Sequence, residues 1–134
     1  MKSKTLVLIA VLICQMGFLS CTSTPWHRDM ADAQLKKGMA LIEAGQHIGA
    51  LKELIDADKN APNDPVINYY LGIAYHGRGL RDLAMERFQK AIYLKKDYSE
   101  AYNFLGVIYM DMGQWDKAIS YFDHALANHL YGTP

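Results

Sequence analysis

Thiols are scarce in this chain of 134 residues: its two cysteines, Cys14 and Cys21, both fall within the first twenty-one positions. Beyond Cys21 no disulfide framework and no cysteine-based metal site can exist, so the remainder must be held by packing alone. Long apolar runs are lacking too. The stretch Leu6 to Cys14 is well short of the roughly 20 residues that a membrane-spanning helix needs. Neither sign of charge prevails, with 14 Lys plus Arg against 14 Asp plus Glu, which leaves no electrostatic footprint for nucleic acid or for an anionic membrane surface.

Catalytic and cofactor patterns are equally thin. Asp56, Asp58 and Asn60 imitate the first ligands of a calcium loop, but Ala61 stands where the glycine is required and Ile67 where the bidentate glutamate is. His124 and His129 are separated by roughly 140° around a helix axis and make no metal pair. Gly77 and Gly79 lack the third glycine and the preceding strand of a dinucleotide loop. No nucleophile with a paired base is legible, so the expectation is a protein without catalytic residues, cofactor, metal or small-molecule substrate.

What the chain does have is repetition. The stretch Pro65 to Tyr98 returns 34 residues later, placing Leu71 on Leu105, Gly72 on Gly106, Tyr75 on Tyr109, Gly79 on Gly113, Ala84 on Ala118, Phe88 on Phe122 and Ala91 on Ala125. Gly38, Leu41, Gly45, Ala50, Leu54 and Ala57 fall in the same frame one period earlier. A fixed period of this length carrying L-G-x-x-Y and then A-x-x-x-F resembles the tetratricopeptide pattern of paired antiparallel helices. The expected fold is all-α, an α-solenoid of three helix-turn-helix repeats at 31–64, 65–98 and 99–132.

Residue choices follow from that pattern. Asn68, Leu71, Gly72 and Tyr75 recur at helical spacing and form one face. Gly72 and Ala84 are expected to let two backbones approach, with Phe88 and Tyr75 filling the wider part of the wedge. Gly79 is expected in a turn that a β-carbon would oppose. Asn60-Ala61-Pro62-Asn63-Asp64-Pro65 ends one helix and starts the next, with Asp64 as N-cap and Pro65 as first helical residue. At the following junction either Asp97 or Ser99 is the candidate cap. Repeat one is the least typical, with Leu41 and Leu54 in place of aromatics and Gly49 inside its second helix.

The start of the chain has another character. Lys2 and Lys4, the apolar run and the small Ser20 ahead of Cys21 form a secretory signal over 1–20. Its ending, Phe-Leu-Ser-Cys, resembles the bacterial lipoprotein processing box, in which the cysteine becomes the N-terminus and carries lipid such as palmitate. Phe18 and Leu19 depart from the usual occupants, and an uncleaved N-terminal anchor is the alternative. Cys21 is thus the expected lipidation site, and Thr22 after it resembles outer-membrane sorting, which implies an envelope protein facing the periplasm. Cleavage removes two lysines and no acid, leaving a net charge near −2, so membrane attachment would come from the lipid. Residues 21–30 read as a tether before a helical frame that begins near Met30, with Trp26 either packed on the first helix or placed at the bilayer interface.

The tetratricopeptide resemblance implies a concave groove lined by the first helix of each repeat at its second, fifth, ninth and twelfth positions. These are Asp32, Leu35, Met39 and Ile42, then Val66, Tyr69, Ile73 and His76, then Glu100, Asn103, Val107 and Met110. The middle of that row is apolar and suits a hydrophobic or amphipathic segment of a protein partner. Some of these side chains can equally serve to pack neighbouring first helices. Ile119, Phe122 and Leu126 in the last helix are expected to be only partly covered, because a solenoid's final repeat presents a face meant for a successor.

With A-L-K-E-L at Ala50–Leu54, A-Y-N-F-L-G-V-I-Y at Ala101–Tyr109 and L-Y-G-T-P at Leu130–Pro134, the chain also resembles type IV pilus biogenesis and stability lipoproteins. That resemblance implies a pilotin-like adaptor that escorts a secretin, although in those relatives the L-Y-x-T-P stretch leads into a further repeat. A general envelope scaffold, serving other lipoproteins or cell-wall complexes, is the alternative.

Overall fold

The repetition in sequence becomes three antiparallel helix pairs. The computed structural model describes residues 25–131, with side chains from Trp26 to Ala127. Its helices are α1 (Pro25–Glu43), α2 (His47–Asn60), α3 (Pro65–Gly77), α4 (Arg81–Leu94), α5 (Ser99–Asp111) and α6 (Trp115–Tyr131). No strand occurs among the described residues, and each helix packs most heavily on its hairpin partner. The signal segment and Cys21 lie outside the described residues, as does the end of the L-Y-G-T-P stretch.

Each hairpin turn is built the same way. Gly45, Gly79 and Gly113 have φ of 70°, 72° and 70°, the left-handed region that a β-carbon disfavours. At the middle turn the Gly79 amide donates to the His76 carbonyl at 2.8 Å and the Leu80 amide to the Tyr75 carbonyl at 3.0 Å. This is a Schellman arrangement, which satisfies the last carbonyls of a helix. Its counterparts run from Gln46 to Leu41 at 2.8 Å and from Gln114 to Tyr109 at 2.9 Å.

Inside each hairpin a glycine on the first helix faces a large side chain on the second. A β-carbon on Gly72 would lie 2.6 Å from the Phe88 ring, one on Gly106 2.5 Å from Phe122, and one on Gly38 2.7 Å from Leu54. The glycine therefore makes room for a ring rather than for a close approach of backbones, a correction to the expectation for Gly72. The smaller Leu54 plays the ring's part in the first hairpin. Two clusters result: Leu54, Ile67 and Leu71 anchor one, and Phe88, Leu105 and Ile108 the other.

Polar ties join the first two repeats. Asp64 caps α3 by accepting from the Val66 and Ile67 amides at 2.8 and 3.2 Å, and its second oxygen lies 3.3 Å from the Arg28 guanidinium. The fully buried Asn68 donates to the Asp64 carbonyl at 2.9 Å. Arg87 donates both to Asn68 at 3.1 Å and to Asp58 at 2.8 Å, binding α4 to α3 and α2. Asp56, Asp58 and Asn60 are all on α2 and each has another partner: Lys59, Arg87 and Gln34 respectively.

Two boundaries differ from expectation. The first helix begins at Pro25 rather than near Met30, with proline at a helix start where its missing amide is harmless. Residues 25–30 of the expected tether are therefore helical, and Trp26 lies 55% exposed against its neighbour His27 instead of packing into the core. At the start of α5 neither Asp97 nor Ser99 caps. Tyr98 occupies the cap position without a side-chain bond, and its ring is buried between repeats.

Urea unfolding should separate the glycines by role. Phe88→Ala is expected to lose about 3–5 kcal/mol, and Gly72→Ala to lose stability because the ring beside it must move. Gly49→Ala should instead gain about 0.5 kcal/mol, since its β-carbon would meet Leu41 only at an ordinary 3.5 Å. A gain at Gly72 would overturn this account.

Candidate binding groove

The first helices α1, α3 and α5 carry the twelve groove positions, and their side chains are not equally free. On α1, Leu35 and Ile42 are half-buried against the first core cluster, Met39 is half-buried, and Asp32 is exposed within 4.0 Å of Arg28. On α3, Val66 is 37% exposed, while Tyr69 and Ile73 pack against the second cluster. His76 is half-buried with its ring 6.4 Å from that of Phe104. On α5, Val107 is half-buried, Glu100 and Asn103 are exposed, and Met110 is 39% exposed.

Leu35, Ile42, Tyr69 and Ile73 thus serve two surfaces at once, bracing neighbouring first helices while keeping part of their area open. Tyr69 shows this most clearly. Its ring centroid lies 5.0 Å from Tyr98, 5.8 Å from Phe104 and 5.9 Å from Phe88. Such tilted and edge-on contacts are favourable beyond the area they bury. Burial, with smaller contributions from Tyr70 and Glu100, pushes the Tyr69 hydroxyl up to about 12. Tyr98 is raised further by the same burial and by Tyr69 itself. Both phenols stay neutral across the physiological range.

Three of the predicted residues, Tyr69, Glu100 and Asn103, come together in one cleft of about 560 Å³. Its remaining walls are Ser99 and Phe104 of α5 and Phe122, Ala125 and Leu126 of α6. Phe104 was not among the groove positions, yet it stacks on Phe88 at 5.1 Å with only 15° between planes. The signal was present in the repeat frame, since Phe104 falls 34 residues after Tyr70, another aromatic. The α1 positions do not reach this cleft. Among the described residues no group of three or more His, Cys, Asp or Glu is placed to hold a metal.

Residues 99–128 match the family model described as tetratricopeptide repeat. Among solved structures, the chain is similar to MamA, at 29% identity over 74% of this chain and 58% of that one, with a TM-score of 0.70. It is similar also to the Sgt2 TPR domain from Aspergillus fumigatus, at 22% identity over 78% of this chain and 69% of the other, TM-score 0.70. The second TPR of Spaghetti, solved bound to the HSP90 peptide SRMEEVD, matches at 18% identity over 75% of this chain and 93% of its own, TM-score 0.70. At those last two identities the likeness is one of fold. The chain spans a little over half the length of the MamA structure it matches. The fold is a tetratricopeptide-type α-solenoid.

Alkaline titration should report the buried phenols. Tyr69 has an ordinary value of 10.0 when unfolded and about 12 when folded. Above pH 10 the unfolded chain therefore releases protons that the folded chain retains, and stability falls as pH rises. The melting temperature is expected to stay level from about pH 7 to 9 and to drop between about pH 10 and 12, with a smaller drop in a Tyr69→Phe variant. An alkaline profile unchanged by that variant would remove Tyr69 from this role.

Proposed function

We propose that this chain, an α-solenoid of tetratricopeptide type, is a protein-interaction adaptor whose concave face takes an apolar or amphipathic segment of a partner. The observation that carries this reading is the row of half-open apolar side chains, Tyr69, Ile73 and Val107, flanked by the more exposed Val66 and Met110. An acidic tail such as the HSP90 peptide held by Spaghetti fits this groove poorly. None of the twelve positions is Lys or Arg, and Asp32 and Glu100 would repel it. An apolar segment meets no such penalty, and Met39 and Met110 can adjust to its shape.

The finer reading places this adaptor in a bacterial envelope. Lipid on Cys21 would hold it to the outer membrane, facing the periplasm, with a pilus secretin as the partner whose assembly it assists. The signal pattern over 1–20 and the A-Y-N-F-L-G-V-I-Y and L-Y-G-T-P stretches support that reading.

Crosslinking in native membranes followed by recovery of the chain tests both levels. A Val66→Asp, Met110→Asp double variant should fold normally, because both side chains are more than a third exposed, and should lose the partner. Recovery of a secretin with the parent alone supports the pilus role. Recovery of cell-wall or other envelope proteins, lost with the same variant, replaces it with a general scaffold, and partners retained by the variant would remove the groove. Cys21→Ser should move the protein from the membrane to the soluble fraction, and continued attachment would overturn the lipid anchor.

A further inference from the structure

The two junctions between repeats share a frame but not a chemistry. At the first, Arg87 spans from α4 to Asp58 of α2 at 2.8 Å and to Asn68 of α3 at 3.1 Å, and Lys90 donates to the Pro62 carbonyl. One period later Ile92 stands for Asp58, Tyr102 for Asn68, Tyr121 for Arg87 and His124 for Lys90. The ion pair has no counterpart there. A cleft of about 340 Å³ lies at that place instead, between the second helices α4 and α6.

Its base is apolar, with Leu105 of α5 fully buried and Ile92 of α4 half-buried. Its sides are rings: Tyr102 lies 6.2 Å from Tyr121 and 5.3 Å from His124, and Tyr121 is backed by Tyr109, stacked at 5.1 Å. Gln89 and Ser120 add neutral polar groups. Burial, and after it Tyr109, pushes the Tyr121 hydroxyl up, so it stays protonated and able to donate. No Asp, Glu, Lys or Arg is among the walls. Neither are Ile119, Phe122 and Leu126, the residues that a following repeat would cover. Three consecutive helices of the array supply every wall.

Those walls select a ligand. A charged side chain entering the cleft would lose water without meeting a counter-charge, and a wholly apolar one would leave the phenols and the Gln89 amide without partners. Proline in the polyproline II helix meets both demands, because its rings are apolar and its carbonyls carry no internal hydrogen bond. The rings can lie on tyrosine faces while Gln89, Tyr102 and Tyr121 donate to the carbonyls. We infer that the cleft between α4 and α6 is a second binding site, separate from the groove on the first helices, and that it takes a proline-rich extended segment of a partner protein.

The test titrates a dye-labelled peptide of eight prolines with the full chain and reads anisotropy. Saturable binding is expected, weakened at least tenfold by Tyr102→Leu and at least threefold by Gln89→Ala or His124→Ala. The last two residues are exposed, so those variants keep the test open if Tyr102→Leu fails to fold, and matching melting curves will show that they do fold. The groove variant Val66→Asp, Met110→Asp should bind within twofold of the parent, and a peptide with alternate prolines replaced by alanine should bind at least tenfold more weakly. Absence of saturable binding to the folded parent would overturn the proposal. So would an equal loss in the groove variant, or equal binding of the alanine-substituted peptide.

Discussion

A ring laid over a glycine is the contact on which each hairpin depends. The side chain of Phe88 occupies the space that a β-carbon on Gly72 would need, and Phe122 does the same at Gly106. Glycine inside a helix is unfavourable by about 1 kcal/mol against alanine, and the complete burial of Phe88 outweighs this by burying an apolar side chain worth roughly 1.5–3 kcal/mol. The ring then serves a second purpose, because Phe104 of the following repeat stacks on it. One residue thereby closes its own hairpin and founds the next. The first hairpin uses Leu54 instead, and the neighbouring repeat meets it through Ile67 and Leu71 rather than through stacked rings.

The two junctions are consequently unlike. Between repeats one and two, Arg87 reaches from α4 to Asp58 and Asn68, and Lys90 donates to the Pro62 carbonyl at 2.9 Å. Between repeats two and three the load passes to aromatic contacts among Tyr69, Phe88, Tyr98 and Phe104. Polar ties fix direction and register, while aromatic packing contributes most of its free energy through area. The proposed groove positions span both, and Tyr69 among them belongs to the aromatic junction.

Much of this was legible in sequence because the repeat frame fixes spacing. Gly79 in a left-handed turn and Asp64 as a cap each follow from a residue whose chemistry allows few alternatives. The partner of Gly72 did not follow, since a missing β-carbon signals proximity without saying what comes near. Tyr98 was hidden for a similar reason: capping chemistry points to Asp97 or Ser99, but burial of a ring decided where α5 begins. For the candidate groove, periodicity assigns positions on the first helices. It could not divide Tyr69 between core and surface, nor bring Phe122 and Leu126 of another helix to the same cleft, because those depend on how hairpins stack.

The first turn of α1 has a mechanical consequence. Ala31 is the first described residue with its surface fully removed from solvent, and the side chains before it are exposed or only half-buried. What holds them is the His27–Asn60 hydrogen bond at 3.1 Å and the Arg28–Asp64 pair, whose arginine side chain is 60% exposed. A pull on the segment preceding Pro25 therefore meets a compliant turn before it meets the rigid array. That turn can unwind at small cost and take up the strain, leaving the helices behind Ala31, and the surfaces they carry, undistorted under tension.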